Sequence, residues 1–269
     1  MPIEDALASR SVLIVAAHPD DETIGAGGLL PRLRHPVVVT VTDGAPRSPG
    51  DAERAGCLTR EDYARLRRDE LLGALDVAGV PADQIRTFNI VDQEASLEMA
   101  YVTMHLVDIL REVNPAAILT HPYEGGHPDH DATAFAVHAA CARVHNPPEV
   151  FEFTSYHSAT PEPETAGSPA MAVGTFLPNT DDGEAVVLPE DSRELKCRMI
   201  SCFESQLHML RNFPVDIERY RPAPVYDFTS APHPGKLFYE NFDWGVTGKR
   251  WRRLAEEALR TLGAGTATV

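Results

Sequence analysis

Two short clusters of histidines and carboxylates hold the residues best suited to chemistry. Residues 18–22 read His-Pro-Asp-Asp-Glu, and residues 127–131 read His-Pro-Asp-His-Asp. The three adjacent carboxylates of the first cluster would repel one another unless a positive charge lies among them. A divalent cation supplies this charge most simply, and His18 and Asp21 are a ligand pair that zinc accepts. The sequence therefore predicts a metal site.

A third ligand becomes available if the two clusters meet. His18, Asp21 and His130 would then leave a fourth position open for water, a pattern typical of catalytic rather than structural zinc. Zinc lowers the pKa of bound water to roughly 7 and polarises a carbonyl group. Asp20 would take the proton of that water as general base, and His127 would stabilise an oxyanion or protonate a leaving amine. These parts suffice for metal-assisted hydrolysis of an amide.

The elements that must position these clusters alternate between strands and helices over the first 155 residues. Apolar runs and periodicity predict strands at 12–17, 36–42, 85–91, 116–120 and 150–155, and helices at 61–78, 97–113 and 132–144. This alternation requires a parallel sheet with right-handed crossovers. Because each cluster follows a predicted strand, such a sheet would bring both to one edge, where ligands bind in open α/β sheets.

The regular pattern decays beyond residue 155. Residues 158–170 have the composition of an exposed loop, and residues 213–246 are rich in proline and aromatic side chains without a clear period. Further strands are expected at 171–177 and 185–188, and further helices at 192–210 and 249–262. We therefore expect an α/β fold, with a Rossmann-like parallel sheet flanked by helices and a smaller irregular C-terminal part. The predicted domain spans 1–210, and residues 211–269 form an extension packed on it.

The net charge and the lack of long apolar segments limit which partners the protein is expected to have. The 269 residues carry a formal net charge of -16, so duplex nucleic acid is not an expected partner. No segment approaches the ~18 apolar residues of a membrane span, and the N-terminus lacks the basic region of a signal peptide. No two of the four cysteines form a Cys-x-x-Cys pair, so we expect them to be ordinary free thiols. We expect a cytoplasmic protein without a membrane span, and leave open whether it forms a homo-oligomer.

Other interpretations of the same residues compete with the hydrolase. A single His-Pro-Asp segment is also typical of a capped turn, but two of them after predicted strands favour a site. Gly25, Gly27 and Gly28 suggest a non-catalytic nucleotide-binding domain, yet the turn is not Gly-x-Gly-x-x-Gly, and its carboxylates would repel a pyrophosphate. We expect these glycines to let the first helix pack tightly on the sheet. His121 is expected to be structural or to support a ligand, and the aromatic residues at 238–244 are expected mainly in the core.

The motifs resemble those of the LmbE-like, or PIG-L, family of zinc-dependent de-N-acetylases. Residues 17–22 (Ala-His-Pro-Asp-Asp-Glu) and 127–130 (His-Pro-Asp-His) carry the resemblance. It extends to residues 42–44 (Thr-Asp-Gly), 67–70 (Arg-Arg-Asp-Glu) and 196–206. Family members remove acetyl groups from N-acetylglucosaminyl compounds, including inositol and malate conjugates, chitobiose, and some glycopeptide and aminoglycoside intermediates. The resemblance therefore implies an acetamido-sugar substrate, which the spacing of the residues alone does not give.

The resemblance also implies a role for each site residue. It gives the same zinc ligands and general base as above, and makes His127 the histidine that stabilises the oxyanion. Asp129 would orient His127. Arg67 would lie near the sugar or its aglycone, with a solvated charge on the helix surface as the alternative. The competing activity is that of a zinc amidase acting on another amide, such as a thiol conjugate or an antibiotic intermediate.

Overall fold

The computed structural model describes residues 1–159, 170–178 and 180–264; most of the expected loop at 158–170 lies outside these ranges. The strands are β1 (Val12–Ala16), β2 (Val37–Pro46), β3 (Ile85–Asp92), β4 (Ala117–Thr120), β5 (Glu149–Phe153), β6 (Tyr156–Ser158), β7 (Met171–Val173), β8 (Glu184–Val187) and β9 (Ile217–Pro222). The α-helices are α1 (Ile3–Ala8), α2 (Asp21–Ala26), α3 (Gly50–Arg54), α4 (Arg60–Val77), α5 (Met99–Val113), α6 (Pro128–Cys141), α7 (Glu190–Ser201), α8 (Leu207–Leu210) and α9 (Gly248–Ala264).

A seven-stranded sheet with the order β3-β2-β1-β4-β5-β9-β8 forms the centre of the molecule. The first five of these strands run parallel to one another, and β9 runs antiparallel to both β5 and β8. Strand β1 lies between β2 and β4, with Val15 opposite Thr120 of β4. The segments that follow β1 and β4 therefore leave the sheet side by side. The predicted α/β fold is confirmed.

Helices cover both faces of the sheet, so every residue of β1 is buried. Leu13 and Val15 point into a core that includes α5, α6 and α9, whereas Val12 and Ile14 point into a core with α2, α4 and α7. This two-sided packing fixes the carboxyl end of β1, where the first cluster begins. Within the described residues, none of the helices combines the length and hydrophobicity needed to cross a bilayer.

Two predicted helices differ from the structure by more than two residues at one or both ends. Helix α6 begins at Pro128 rather than at residue 132, because the ring Nδ1 of His127 accepts the Asp129 amide as N-terminal cap and proline suits the first helical position. The second cluster therefore lies on the first turn of a helix. The helix expected at 192–210 is interrupted after Ser201, since Phe203 leaves the helical conformation (φ -90°, ψ 60°) before α8 begins.

Strand β9 lies in the stretch where the sequence shows no period. Its buried residues include Glu218 and Arg221, which hide the apolar alternation that normally marks a strand. Glu218 accepts a hydrogen bond from Lys196 at 2.8 Å, and Arg221 donates to Glu152 at 2.7 Å. Each charge is thus buried only because a partner elsewhere in the chain compensates it.

Candidate metal and catalytic site

The turn after β1 holds its carboxylates in a constrained geometry. The His18 amide donates to the Asp21 carboxylate at 2.8 Å, and the Asp20 amide donates to Glu22 at 3.0 Å. Asp20 itself has a φ of 123°, a conformation that costs a non-glycine residue about 1–3 kcal/mol and that is found mostly at functional sites. Gly25 lets α2 approach the sheet as expected, because a Cβ there would overlap the ring of Phe153.

The three expected ligands lie close together. Nδ1 of His18 lies 3.1 Å from an Asp21 carboxylate oxygen and 3.2 Å from Nε2 of His130, which is 3.3 Å from the other Asp21 oxygen. All three side chains are buried. Donor atoms bound to one tetrahedral zinc at its usual bond lengths are about 3.4 Å apart. The two imidazoles lie against each other and against different oxygens of the same carboxylate, which brings the three groups within reach of one ion.

His121 adds a third imidazole beside this group. Its Nε2 lies 3.3 Å from Asp21 and accepts the Ala17 amide at 3.0 Å, and its ring stacks on that of His130 with the centroids 4.0 Å apart. Asp21, His121 and His130 also have donor atoms close enough to share an ion. His121 connects the end of β4 to the turn after β1, and so holds both Asp21 and His130 in place.

Asp92, the last residue of β3, is a site residue that sequence reasoning missed. Its carboxylate lies 3.2 Å from Nε2 of His18 and 4.0 Å from Nε2 of His127. Burial opposes its ionisation, but His18 and then His127 outweigh burial and keep the pKa of Asp92 below its usual range. The signal that located the first cluster would also have found Asp92, because it directly follows the predicted strand at 85–91.

His127 is positioned as a neutral hydrogen-bond donor. Because its Nδ1 accepts the Asp129 amide at 3.2 Å, the ring proton of the neutral form belongs on Nε2. Burial lowers the pKa of His127 well below its usual value, and the neighbouring His18 and His130 lower it further. His127 lines the same cavity as His18 and Asp20. Its Nε2–H is therefore available to a ligand in that cavity.

Asp129 contacts His127 by a different route from the one that the resemblance implies. Its carboxylate lies 3.9 Å from Nδ1 of His127, and the hydrogen bond to that ring comes from the Asp129 backbone instead. The carboxylate accepts the amides of Gln93 at 2.6 Å and Ala95 at 3.0 Å, and lies 3.3 Å from Nε2 of His18. Asp129 thus ties the segment after β3 to His18.

Arg67 points inward from α4 and is 2% exposed, so it is not a solvated charge. One terminal nitrogen donates to the Asp20 carboxylate at 2.9 Å and to the Pro19 carbonyl. The other lies 3.4 Å from Glu70, which also accepts the hydroxyl of Ser205. Burial raises the pKa of Asp20 to about 6, and Arg67 opposes this rise. A carboxylate with a pKa near neutrality can serve as a base.

Gly44 makes room for the Arg67 guanidinium. It follows Asp43 with a φ of 64°, and a Cβ at this position would lie 2.9 Å from both Nε of Arg67 and the ring of Pro19. Both the backbone conformation and the close approach therefore require glycine here.

A cavity of about 640 Å³ contains the site. The polar side of its lining consists of the three expected ligands together with Asp20, Arg67 and His127. The other side is largely apolar and is lined by Tyr156, Met171, Leu210, Phe213, Phe242 and Trp244. Of the aromatic residues at 238–244, Phe238 and Tyr239 are buried as expected, whereas Phe242 is 38% exposed. The cavity thus combines reactive polar groups with an apolar wall, and the two adjoin where the Trp244 ring lies 4.7 Å from that of His127.

Side chains from the second half of the chain brace both clusters. The ammonium of Lys196 in α7 donates to the Ile24 carbonyl of α2 at 2.7 Å and to Glu218, which also accepts the Gly28 amide at 2.8 Å. The indole of Trp251 in α9 donates to the Pro128 carbonyl at 3.0 Å. The helices that carry Asp21 and His130 are therefore each tied to a distant segment.

Comparison with known proteins agrees with these motifs. Residues 13–141 match the PIG-L family, described as GlcNAc-PI de-N-acetylase. The chain is 34% identical over 139 residues to a probable N-acetyl-alpha-D-glucosaminyl L-malate deacetylase 2 of Bacillus cereus, covering 50% of this chain and 62% of the relative. It is 31% identical to a 1D-myo-inositol 2-acetamido-2-deoxy-alpha-D-glucopyranoside deacetylase of Kribbella flavida, over 50% of this chain and 54% of the relative. It is 28% identical to the diacetylchitobiose deacetylase of Thermococcus kodakarensis (88% and 82%). The match thus spans between half and two thirds of the first two relatives.

Solved structures share the fold at low sequence identity. The zinc-inhibited form of teicoplanin deacetylase Orf2 superposes with a TM-score of 0.55 at 18% identity, covering 80% of this chain and 100% of that one. The N,N'-diacetylchitobiose deacetylase of Pyrococcus horikoshii superposes with a TM-score of 0.55 at 22% identity, covering 80% of this chain and 84% of that one. GalB, the 4-carboxy-2-hydroxymuconate hydratase of Pseudomonas putida, gives 0.54 at 18% identity (81% and 99%). Since one of these proteins is a hydratase, the fold alone does not determine the reaction.

Proposed function

Because the chain belongs to the PIG-L/LmbE-like family, we propose that it is a zinc-dependent hydrolase that removes the acetyl group from an N-acetylglucosaminyl conjugate. The observation that carries the proposal is the convergence of His18, Asp21 and His130, with donor atoms 3.1 to 3.3 Å apart, inside a cavity. Two imidazoles and one carboxylate are a donor set that catalytic zinc sites use. Zinc bound there would lower the pKa of a water molecule to about 7 and polarise the amide carbonyl.

Asp20 is the general base of the proposed reaction. Its carboxylate is buried, accepts a hydrogen bond from Arg67 at 2.9 Å and lines the same cavity as the proposed zinc ligands, so it is placed to take a proton from a water molecule there. The proton that Asp20 takes from the attacking water passes to the nitrogen as the C–N bond breaks. The products are acetate and the free amino sugar.

His127 stabilises the negative charge that develops on the carbonyl oxygen. Its neutral ring would donate from Nε2 because Nδ1 is occupied by the Asp129 amide. A fixed donor of this kind costs no reorganisation when the charge appears, and such donors typically contribute about 3 kcal/mol to lowering the barrier. The buried surroundings strengthen the interaction by excluding water.

The substrate class rests on what the relatives have in common. Their names specify a glucosaminyl malate, an inositol glucosaminide and diacetylchitobiose. The acetamido sugar is shared and the attached group differs. We therefore assign the acetamido sugar to the polar side of the cavity.

A direct assay tests the proposal. The zinc-loaded protein is incubated with N-acetylglucosamine, diacetylchitobiose and glycosides of N-acetylglucosamine, and released acetate and primary amine are measured together. We expect equal amounts of both, loss of activity with a chelator, and recovery when zinc is added back. The Asp20→Asn variant serves as control, because it should keep the metal and lose turnover. Absence of acetate from every acetamido sugar, with hydrolysis of a different amide, would favour the competing amidase.

A further inference from the structure

The apolar side of the cavity has no role in the proposed reaction. Phe213, Phe242 and Trp244, together with Met209 and Leu210, line this side. All five lie outside the segment that matches the family, which ends at residue 141. A contiguous apolar surface beside reactive groups indicates a binding surface, because leaving it in contact with water is unfavourable.

Two stacked aromatic rings of this wall lie next to the candidate oxyanion donor. The rings of Phe242 and Trp244 are nearly parallel, with their centroids 4.6 Å apart and an angle of 16° between the planes. The Trp244 ring lies 4.7 Å from the ring of His127. A group attached to a sugar whose acetamido carbonyl faces His127 would therefore come within reach of the two stacked rings.

The charges in the cavity disfavour an anionic group on this side. Of the arginines lining the described part of the cavity, Arg67 is bound to Asp20 and Arg54 to Asp51. Both cations are thus already paired with carboxylates. An anion would need a cation that is not already neutralised, so malate or a phosphate would gain little here.

We propose that the wall formed by Met209, Leu210, Phe213, Phe242 and Trp244 binds an apolar aglycone of the amino sugar, and that an aromatic ring fits it best. This inference rests on the proposed function for the position of the sugar. An aromatic ring would lie against the exposed part of Phe242 and remove both surfaces from water. The wall then selects the substrate, while the polar side of the cavity carries out the reaction.

The first test compares glycosides that differ only in the aglycone. The zinc-loaded protein is assayed with the phenyl, methyl and malate glycosides of N-acetylglucosamine. We expect kcat/KM for the phenyl glycoside to exceed the other two by about tenfold or more. Equal values for the phenyl and methyl glycosides, or a preference for malate, would overturn the proposal while leaving the deacetylase activity intact.

The second test locates the effect on the wall. Phe242→Ala should lower the ratio of phenyl to methyl kcat/KM by about tenfold. Val225→Ala is the matched control, because Val225 is fully exposed and is not among the residues lining the cavity. A Phe242→Ala variant that has the melting temperature of the parent and retains the parental ratio would contradict the proposal.

Binding measurements keep the inference testable without turnover. By titration calorimetry, the phenyl glycoside should bind the zinc-loaded protein about tenfold more tightly than the methyl glycoside, and Phe242→Ala should remove this difference. If no glycoside releases acetate, the proposed function fails, and the binding affinities alone test whether the wall is an apolar subsite. Equal affinities for the two glycosides would then reject the apolar subsite as well.

Discussion

The guanidinium of Arg67 donates to the carboxylate of Asp20 at 2.9 Å, and both groups are almost completely buried. This contact connects helix α4 to the turn after β1. It also places a permanent positive charge beside the proposed base, which burial alone would push toward the neutral form. In the proposed reaction Arg67 therefore acts through Asp20, in addition to facing the cavity.

Removing the Arg67 cation should harm both folding and activity. In Arg67→Met the carboxylates of Asp20 and Glu70 lose their buried partner, and breaking such a pair typically costs about 3–5 kcal/mol. We expect a clear loss of urea stability and at least tenfold lower kcat. Arg68→Met, on the exposed neighbouring position of α4, is the control and should match the parent. Similar behaviour of the two variants would show that the contact with Asp20 is unimportant.

Asp20→Asn should separate metal binding from proton transfer. Asparagine preserves the shape of the side chain but cannot accept the proton of the attacking water. We expect full zinc content by elemental analysis and a fall in kcat of about 10²- to 10⁴-fold. Near-parental kcat in a fully loaded variant would remove Asp20 from the role of base.

The three proposed ligands should be needed for the metal. His18→Ala and His130→Ala each delete one donor atom of the group and should lower the zinc content to well below one ion per chain. A chelator should lower the melting temperature of the parent, and added zinc should restore it, since a ligand bound only to the folded state stabilises it. His105→Ala, an exposed histidine of α5, is the control. Full occupancy in both ligand variants would mean that the ion binds elsewhere.

His127→Ala should keep the metal and lose catalysis. The variant loses the Nε2–H donor, and removal of one oxyanion donor typically costs about 10²- to 10³-fold in kcat. KM for a small acetamido sugar should change much less, because the interaction strengthens only as charge develops. If instead KM rises with kcat unchanged, His127 binds the ground state and another group stabilises the oxyanion.

His138 on α6 predicts a pH dependence of stability that is independent of the metal site. Burial lowers its pKa to about 4, with its ring packed against Tyr226 and Phe228. The unfolded chain, with a pKa of about 6.5 at this residue, takes up the proton first, so stability is lost as pH falls from about 6.5 to 4. His138→Leu should remove up to about 2–3 kcal/mol of this loss in urea unfolding experiments. A parent and variant whose stabilities fall in parallel would exclude His138 as the cause.

The sequence predicted the fold and the meeting of the two polar clusters for the same reason. Apolar strands are short and end just before residues 18 and 121, and neighbouring parallel strands end at one edge of the sheet. Any polar cluster that directly follows such strands must converge. Asp92 lies at the carboxyl end of β3, directly after the predicted strand at 85–91, so the same argument could have identified it.

Other features could not be read from a single sequence. Strand β9 contains buried charges whose partners are far away in the chain, so its pattern is that of a surface segment. The contact between Arg67 and Asp20 likewise joins residues 47 positions apart. The sequence left Arg67 as either a substrate contact or a solvated charge, because its direction depends on how α4 packs against β2.

The contacts made by Lys196 and Trp251 mean that the positions of site residues in the first half of the chain depend on side chains in the second half. A fragment ending near residue 141 would contain every proposed zinc donor, yet the helices bearing two of them would lose their anchors. Zinc affinity would then be a property of the completed tertiary structure rather than of the motif. An inactivating substitution near residue 196 or 251 would consequently mimic loss of a ligand without altering any.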